Sequence, residues 1–348
     1  MTGIDQSERR LMQVRPRIGV TIGDPAGIGP EIVLRSAADA DLNKFADIII
    51  GGYLGLLRRT AASFSIPVRL RNADEQEPFG SVPVIDLGGL PSDLAIGRES
   101  PVCGRAAGSY IEKAVELWRA GKIDAIATAP INKGSLVLGG YDFPGHTEFL
   151  AQLTGTREFA MSFFADKLRV VLVSTHVPLR KAIELVKTET MISLITFASE
   201  QFKKLLGRSV KIAVAGVNPH ASEHGMFGVE EADEIEPAIA RCRDELGIDV
   251  SGPYSPDTVF LRGYRGEFDA VIACYHDQAT IAVKSLSFGS AVNVTLGLPL
   301  IRTSVDHGTA FDIAGKGIAD ASSMQSAIKL AADLAMQRPM KCTADDAQ

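Results

Sequence analysis

Eight runs rich in β-branched and aliphatic residues recur along this chain: RIGVTI, ADIIIGG, VPVIDLG, IDAIATA, LRVVLVS, VKIAVAG, FDAVIAC and AVNVTL. Helical stretches such as GRAAGSYIEKAVELWRAG and TETMISLITFASEQFKKLL lie between them. Strands that alternate with helices predict an α/β fold with mostly parallel pairing, because parallel neighbours need a crossover and a helix usually supplies it. At 348 residues the chain has room for one large domain or two medium ones, without internal repeats or low-complexity segments.

Composition narrows the partners. The net charge is −6 and no long basic run occurs, which argues against nucleic acid or an anionic membrane surface as the main partner. Cys103, Cys242, Cys274 and Cys342 show no CxxC spacing, so reduced thiols are expected rather than a disulfide framework or a cysteine zinc site. The opening MTGIDQSERRLMQVRPR lacks the apolar core of a signal peptide, and no run has the length of a spanning helix. These features predict a soluble, cytoplasmic protein whose first 16 residues and TADDAQ tail are frayed.

The six histidines fall between His146 and His307, in the polar phrases GHTE, STHVP, NPHASEHG, YHDQ and DHGTAFD. His176, His220 and His276 each follow one of the strand-like runs, and strand-end loops are where α/β proteins build ligand sites. Imidazole serves both as metal ligand and as proton carrier near neutral pH, so a three-histidine metal site is one reading and hydrogen-bonded loop residues the other. Nearer the start, GDPAGIGPE leads from a strand into a helix beginning near Pro30. It reads either as a phosphate-cradling turn or as a tight structural turn organised by Asp24 and Pro30. Gly23, Gly27 and Gly29 do not have GxGxxG spacing, so the dinucleotide fingerprint is absent there.

Taken together, GDPAGIGPE, GHTEFL, THVPL, NPHASE, PDTVF, YHDQ and NVTLGLPLIRTSVDHGTAFDIAGKG resemble the motifs of the 4-hydroxythreonine-4-phosphate dehydrogenase family, in the family's order and across residues 17–335. The resemblance implies two α/β/α domains with a cleft between them, like isocitrate and isopropylmalate dehydrogenases. Residues 1–140 plus 310–348 would form the first and 141–309 the second. It implies a homodimer with the active site at the subunit interface, and an NAD-dependent, divalent-metal-dependent oxidoreductase. His176, His220 and His276 match the metal ligands, with zinc the expected cation and magnesium, cobalt or manganese the alternatives; three nitrogen ligands leave a position open for a substrate oxygen.

His146, Thr147, Lys284, Asn293 and Arg302 match substrate-binding positions and supply positive charge for a phosphate. Each also has a plainer reading, as a solvated, backbone-pairing or carboxylate-bridging residue, and Thr147 could N-cap a helix. The DHGTAFDIAGKGIAD stretch resembles the adenosine-binding loop of the isocitrate dehydrogenase group, placing His307, Gly308, Thr309 and Asp312 near NAD; a glycine-rich connection is the alternative. Asp257, Asp277 and Lys284 are the candidate proton carriers, their roles undivided. Glu223 and His224 read as loop residues near the site rather than ligands.

The implied reaction is oxidation of the C3 hydroxyl of 4-hydroxy-L-threonine 4-phosphate to a β-keto acid that decarboxylates to 3-amino-2-oxopropyl phosphate, a step of vitamin B6 biosynthesis. Close relatives act instead on D-threonate or D-erythronate 4-phosphate. Two departures from the family's phrases bear on this: Ser222 in NPHASE and Ala279 in YHDQAT stand where glycine is commoner. Loss of glycine at 279 is expected to alter a backbone approach near substrate. A metal-dependent hydrolase and a catalytically silent homologue are the other classes, the first opposed by the cofactor loop and the second by retention of the matched residues.

Overall fold

The computed structural model describes residues 15–76, 80–287 and 289–337. Apart from Arg15 and Pro16, the ends expected to fray lie outside the described residues, as does Cys342. The described residues divide into two α/β units, one running to Phe143 and joined by Thr309–Met336, the other Pro144–Gly308. No helix among them is long and apolar enough to cross a membrane.

The first unit carries β1 (Arg17–Thr21), β2 (Asp47–Gly52), β3 (Leu70–Asn72), β4 (Val82–Asp86) and β5 (Ala125–Thr128), in the order β3-β4-β2-β1-β5 with parallel pairing throughout. Ile18, Val20, Ala125 and Ala127 are buried at its centre, and the helix Pro101–Arg119 presents Ala107, Tyr110, Ile111 and Ala114 to the interior. That spacing is the helical period of a single buried face.

The second unit carries β6 (Ala160–Ala165), β7 (Leu168–Leu172), β8 (Ile212–Ala215), β9 (Val250–Tyr254), β10 (Ala270–Ala273), β11 (Val292–Leu296) and β12 (Ile301–Ser304). Their order is β12-β11-β6-β7-β10-β8-β9. β7, β10, β8 and β9 run parallel, whereas β6 is antiparallel to β7 and β11, and β11 to β12. Phe163, Val170, Val271 and Ala213 on one face pack against Val259 and Phe260 of the helix Pro256–Tyr264 and against Ala279 and Val283 of the helix His276–Leu286. Phe164 contacts Phe202 of the helix Thr188–Leu206, ring centroids 6.0 Å apart.

All eight expected strands form, as β1, β2, β4, β5, β7, β8, β10 and β11. The antiparallel insertion β6 was not expected; it turns into β7 through Asp166, whose φ of 52° supplies the left-handed conformation a tight hairpin needs.

Candidate active site

β7, β10 and β8 are adjacent and parallel, so their C-terminal ends lie side by side, and His176, His276 and His220 follow these ends in turn. The fold brings the first two together: the His176 and His276 rings are 5.4 Å apart between centroids. Two imidazoles bound tetrahedrally at about 2.0–2.1 Å to one zinc ion would place their centroids roughly 5 Å apart, so this pair fits a shared cation. His220 instead lies beside Phe227, centroids 6.2 Å apart. Among the described residues no group of three His, Cys, Asp or Glu side chains is gathered as a cation site.

The His220 loop has an unusual backbone. His220, Ala221, Ser222, Glu223 and His224 all have φ between 45° and 68°. Left-handed conformation costs a non-glycine residue roughly 1–2 kcal/mol, so the turn must be held by its surroundings. Glu231, fully buried, does much of this: Oε1 accepts from Val217 N and Asn218 N, both at 2.7 Å, and Oε2 accepts from Asn218 Nδ2 at 2.8 Å. Gly216 leaves no room for a side chain, since a Cβ there would sit 2.8 Å from Ala221 Cα. Neither residue has a motif signal in the sequence.

Hydrogen bonds also join the histidine loops. Ser174 Oγ donates to Cys274 O at 3.2 Å, linking the β7 and β10 ends. Gln278 Oε1 accepts from Cys274 N at 2.7 Å while its Nε2 donates to Gly216 O at 2.8 Å, linking β10 to β8. Asp277 Oδ1 lies 3.2 Å from His276 Nδ1, within hydrogen-bond reach of that ring nitrogen.

A second cluster forms where β11 and β12 pair. The register Asn293↔Ser304 and Val294↔Thr303 puts Thr295 opposite Arg302, and the strand period places Asn293, Thr295, Arg302 and Ser304 on one face. Arg302 Nη1 donates to Thr295 Oγ1 at 3.2 Å, and Thr147 Oγ1 lies 3.3 Å from the same hydroxyl. Arg302 is only 3% exposed; burial pushes its guanidinium down to about 10, against the opposing pull of Glu148, which leaves it charged at neutral pH. His146 is buried too, and burial followed by the nearby Arg302 charge holds its imidazole well below the ordinary value and therefore neutral. His146 Nε2 and Asn293 Oδ1 are buried without a hydrogen-bond partner. A buried cation with hydroxyls on one side and an unsatisfied imidazole is the composition of an anion site. Thr147 is not the N-cap of its helix, His146–Thr154: Gly145 takes that place, and the hydroxyl is spent on Thr295.

The remaining expected residues are more exposed. Lys284 Nζ pairs with Asp306 at 3.3 Å. Asp257, in the first turn of Pro256–Tyr264, accepts a hydrogen bond from Ser255 Oγ, and that helix packs on the turn Pro219–Glu223. His307 and Gly308 are exposed, and a Cβ on Gly308 would meet nothing within 4 Å, so the chain's own packing does not demand glycine there. Asp312 is exposed, whereas Thr309 is buried and its carbonyl accepts from Ile28 N at 3.0 Å.

That last bond bears on GDPAGIGPE. Gly27 N donates to Asp24 O, Ile28 N to Thr309 O, and Ala26 N to Asp24 Oδ1, so these donors are consumed internally. A Cβ on Gly23 would lie 2.2 Å from Pro130 O and one on Gly29 2.0 Å from Ile22 O. The segment is a packed structural turn rather than a phosphate cradle; Asp24 braces the turn but does not cap the helix, whose N-cap is Ile28. Ala279, expected to bear on a backbone approach near substrate, has its methyl fully buried in the hydrophobic core. Ser222, at φ 68° and 4% exposed, is where the missing glycine is felt.

Comparison with known proteins bears directly on this arrangement. Residues 44–331 match the family described as pyridoxal phosphate biosynthetic protein PdxA. D-threonate 4-phosphate dehydrogenase of Cupriavidus necator is 46% identical over 328 residues, covering 93% of this chain and 98% of that protein. Two crystal structures of 4-hydroxythreonine-4-phosphate dehydrogenases superpose closely. The one from Klebsiella pneumoniae has a TM-score of 0.84 at 42% identity, and the one from Burkholderia phymatum 0.81 at 44%; each covers 92% of this chain and 99% of its own. With the histidine loops and the buried arginine set on matching architecture over nearly its whole length, the chain belongs to the PdxA family.

Proposed function

We propose that this protein is an NAD-dependent, divalent-metal-dependent dehydrogenase that oxidises the C3 hydroxyl of a four-carbon acid phosphorylated at C4, with 4-hydroxy-L-threonine 4-phosphate as substrate. The observation that carries the reading is the buried Arg302, set among Thr295, Thr147 and the unsatisfied His146 Nε2, which suits a dianionic phosphate at one end of a small substrate. His176, His276 and His220 are the residues that would hold the cation, and dimerisation would complete the site. Support for a dimer comes from apolar side chains exposed on and near the histidine loops: Leu179 at 58%, Met226 at 73%, Phe227 at 46% and Ile281 at 66%.

A bound nicotinamide would supply the hydride acceptor, and a cation held by the histidines would supply the positive charge that eases loss of carbon dioxide from the β-keto acid. The chain's own groups do the rest. Arg302, Thr147 and Thr295 fix the phosphate, which sets the position of C3, the carbon next to the phosphate-bearing C4. Asp277 keeps His276 in the tautomer a ligand needs. Asp257, Asp277 and Lys284 are the exposed groups available to take the hydroxyl proton, and the exposed His307, Gly308 and Asp312, with the buried Thr309 anchoring the turn between them, are the residues for NAD.

D-threonate 4-phosphate is the second reading, favoured by the name of the Cupriavidus necator relative. The two substrates differ at C2, amine against hydroxyl, and share the phosphate and the oxidised carbon. The test is NADH formation by the metal-loaded protein with each substrate in parallel, with a chelator control. Chelator-sensitive turnover of the first supports the main reading and preference for the second the alternative. No NADH with either overturns both.

A further inference from the structure

We propose that Gln278 is a positioning residue for the histidine site: its amide ties the loop that carries His276 to the loop that carries His220, with Ser174 making the matching tie to the loop of His176. The inference rests on the reading of these three histidines as cation ligands.

The bonds do not follow from the helix alone. In a capping box the Gln at the third helical position reaches back to the N-cap backbone N–H. Gln278 holds that position in His276–Leu286, whose N-cap is Tyr275, yet its Oε1 reaches one residue further, to Cys274 N. This frees Nε2 to span from the β10 end to Gly216 O at the β8 end, at 2.8 Å. Cys274 Sγ also donates toward Ala215 O, 3.4 Å away, and Ser174 Oγ to Cys274 O. Cys274 is thereby the shared node: its N–H, carbonyl and thiol each contact a different partner, and all are buried. A glutamine 9% exposed, with both ends of its amide engaged, is a rigid spacer between two strand ends. Gly216 is followed within a few residues by the left-handed turn at His220, which Glu231 holds from the other side. Gln278 therefore fixes where that strained turn begins relative to His276.

The test is cation binding by the full-length, metal-stripped protein, titrated with Co²⁺ alone and followed by its visible d–d absorption, beside urea unfolding of the metal-free form. Gln278→Ala is expected to weaken Co²⁺ binding by about 10- to 100-fold, the range for partners that orient metal ligands, and to alter the d–d band. Gln278→Glu, which retains the bond to Cys274 N but sets an oxygen against Gly216 O, is expected to weaken it too. Should Gln278→Ala fail to fold, Ser174→Ala removes one hydroxyl and is expected to weaken Co²⁺ binding through the other tie. Wild-type affinity and spectrum in these variants, even with lowered stability, would overturn the proposal, since that pattern marks a purely structural glutamine. A wild-type protein that binds Co²⁺ no better than His220→Ala would instead overturn the metal reading itself, and this proposal with it.

Discussion

Arg302 and Thr295 face each other across the β11–β12 pair, guanidinium to hydroxyl at 3.2 Å, inside the second unit. The bond aims a planar, multi-donor cation that is almost wholly removed from water. Such geometry is specific to guanidinium. Arg302→Lys keeps the charge and loses the fork, and is expected to raise KM for the phosphorylated substrate on the order of 100-fold, about 2.8 kcal/mol, with a smaller effect on kcat. Steady-state kinetics with inorganic phosphate as competitor check this; an unchanged KM and unchanged inhibition by phosphate would remove Arg302 from the binding site.

His146 predicts the acid limb of the stability curve. Its folded imidazole is held well below the ordinary value by burial and then by Arg302. Below about pH 6.5 the unfolded chain binds a proton at this position that the folded chain refuses, so stability falls as pH drops from there toward the depressed folded value. His146→Gln lacks this linkage. Between about pH 7 and pH 5.5 the variant is expected to lose roughly 1 kcal/mol less unfolding free energy than wild type. Urea titrations at the two pH values decide it, and parallel slopes would mean that His146 titrates normally.

Opposite signs are expected at the two positions where glycine is commoner. Ser222→Gly relieves a left-handed backbone and sacrifices only a long bond from Gly225 N to Ser222 Oγ at 3.3 Å. It is expected to stabilise the protein by up to about 1 kcal/mol. Ala279→Gly removes a buried core methyl from a helix and is expected to cost about 1–2 kcal/mol while leaving KM alone. Thermal unfolding of both variants tests the pair, and a KM change in Ala279→Gly would show a role for that position near substrate.

Cys103, Cys242 and Cys274 are all buried and free. Burial pushes the Cys103 thiol up to about 11 and Cys274 to about 12, and raises Cys242 as well. With so little thiolate at neutral pH, these three are expected to resist iodoacetamide in the native protein and to label on unfolding. Peptide mapping after a timed pulse reads this out; rapid native labelling of Cys274 would show that the β10 end opens readily.

Half of the strands legible in the sequence are ones the fold buries on both faces or nearly so, and such strands read as unbroken apolar runs. β1, β5, β8 and β10 are of this kind. β9 was hidden by Gly252 and Pro253, which its place at the edge of the strand order tolerates, and β12 by Arg302, Thr303 and Ser304, which look like loop but are all buried. In the site, the histidines stood out by residue type and by following strands. Gln278 and Glu231 did not, since a glutamine or glutamate at a helix start reads as solvated until tertiary contacts bury it.

His176 and His276 are the most widely separated of the three histidines along the chain and yet the pair that touches, because β10 sits between β7 and β8 in space. Neighbourhood is decided by strand order, so the length of chain between the histidines is free to vary. Residues inserted at the exposed connection of Glu245, Leu246 and Gly247, which lies between His220 and His276, would lengthen that interval without parting the two rings. A site of this design can accept new peptide between its parts, a tag or even a small domain, and keep its imidazoles in register.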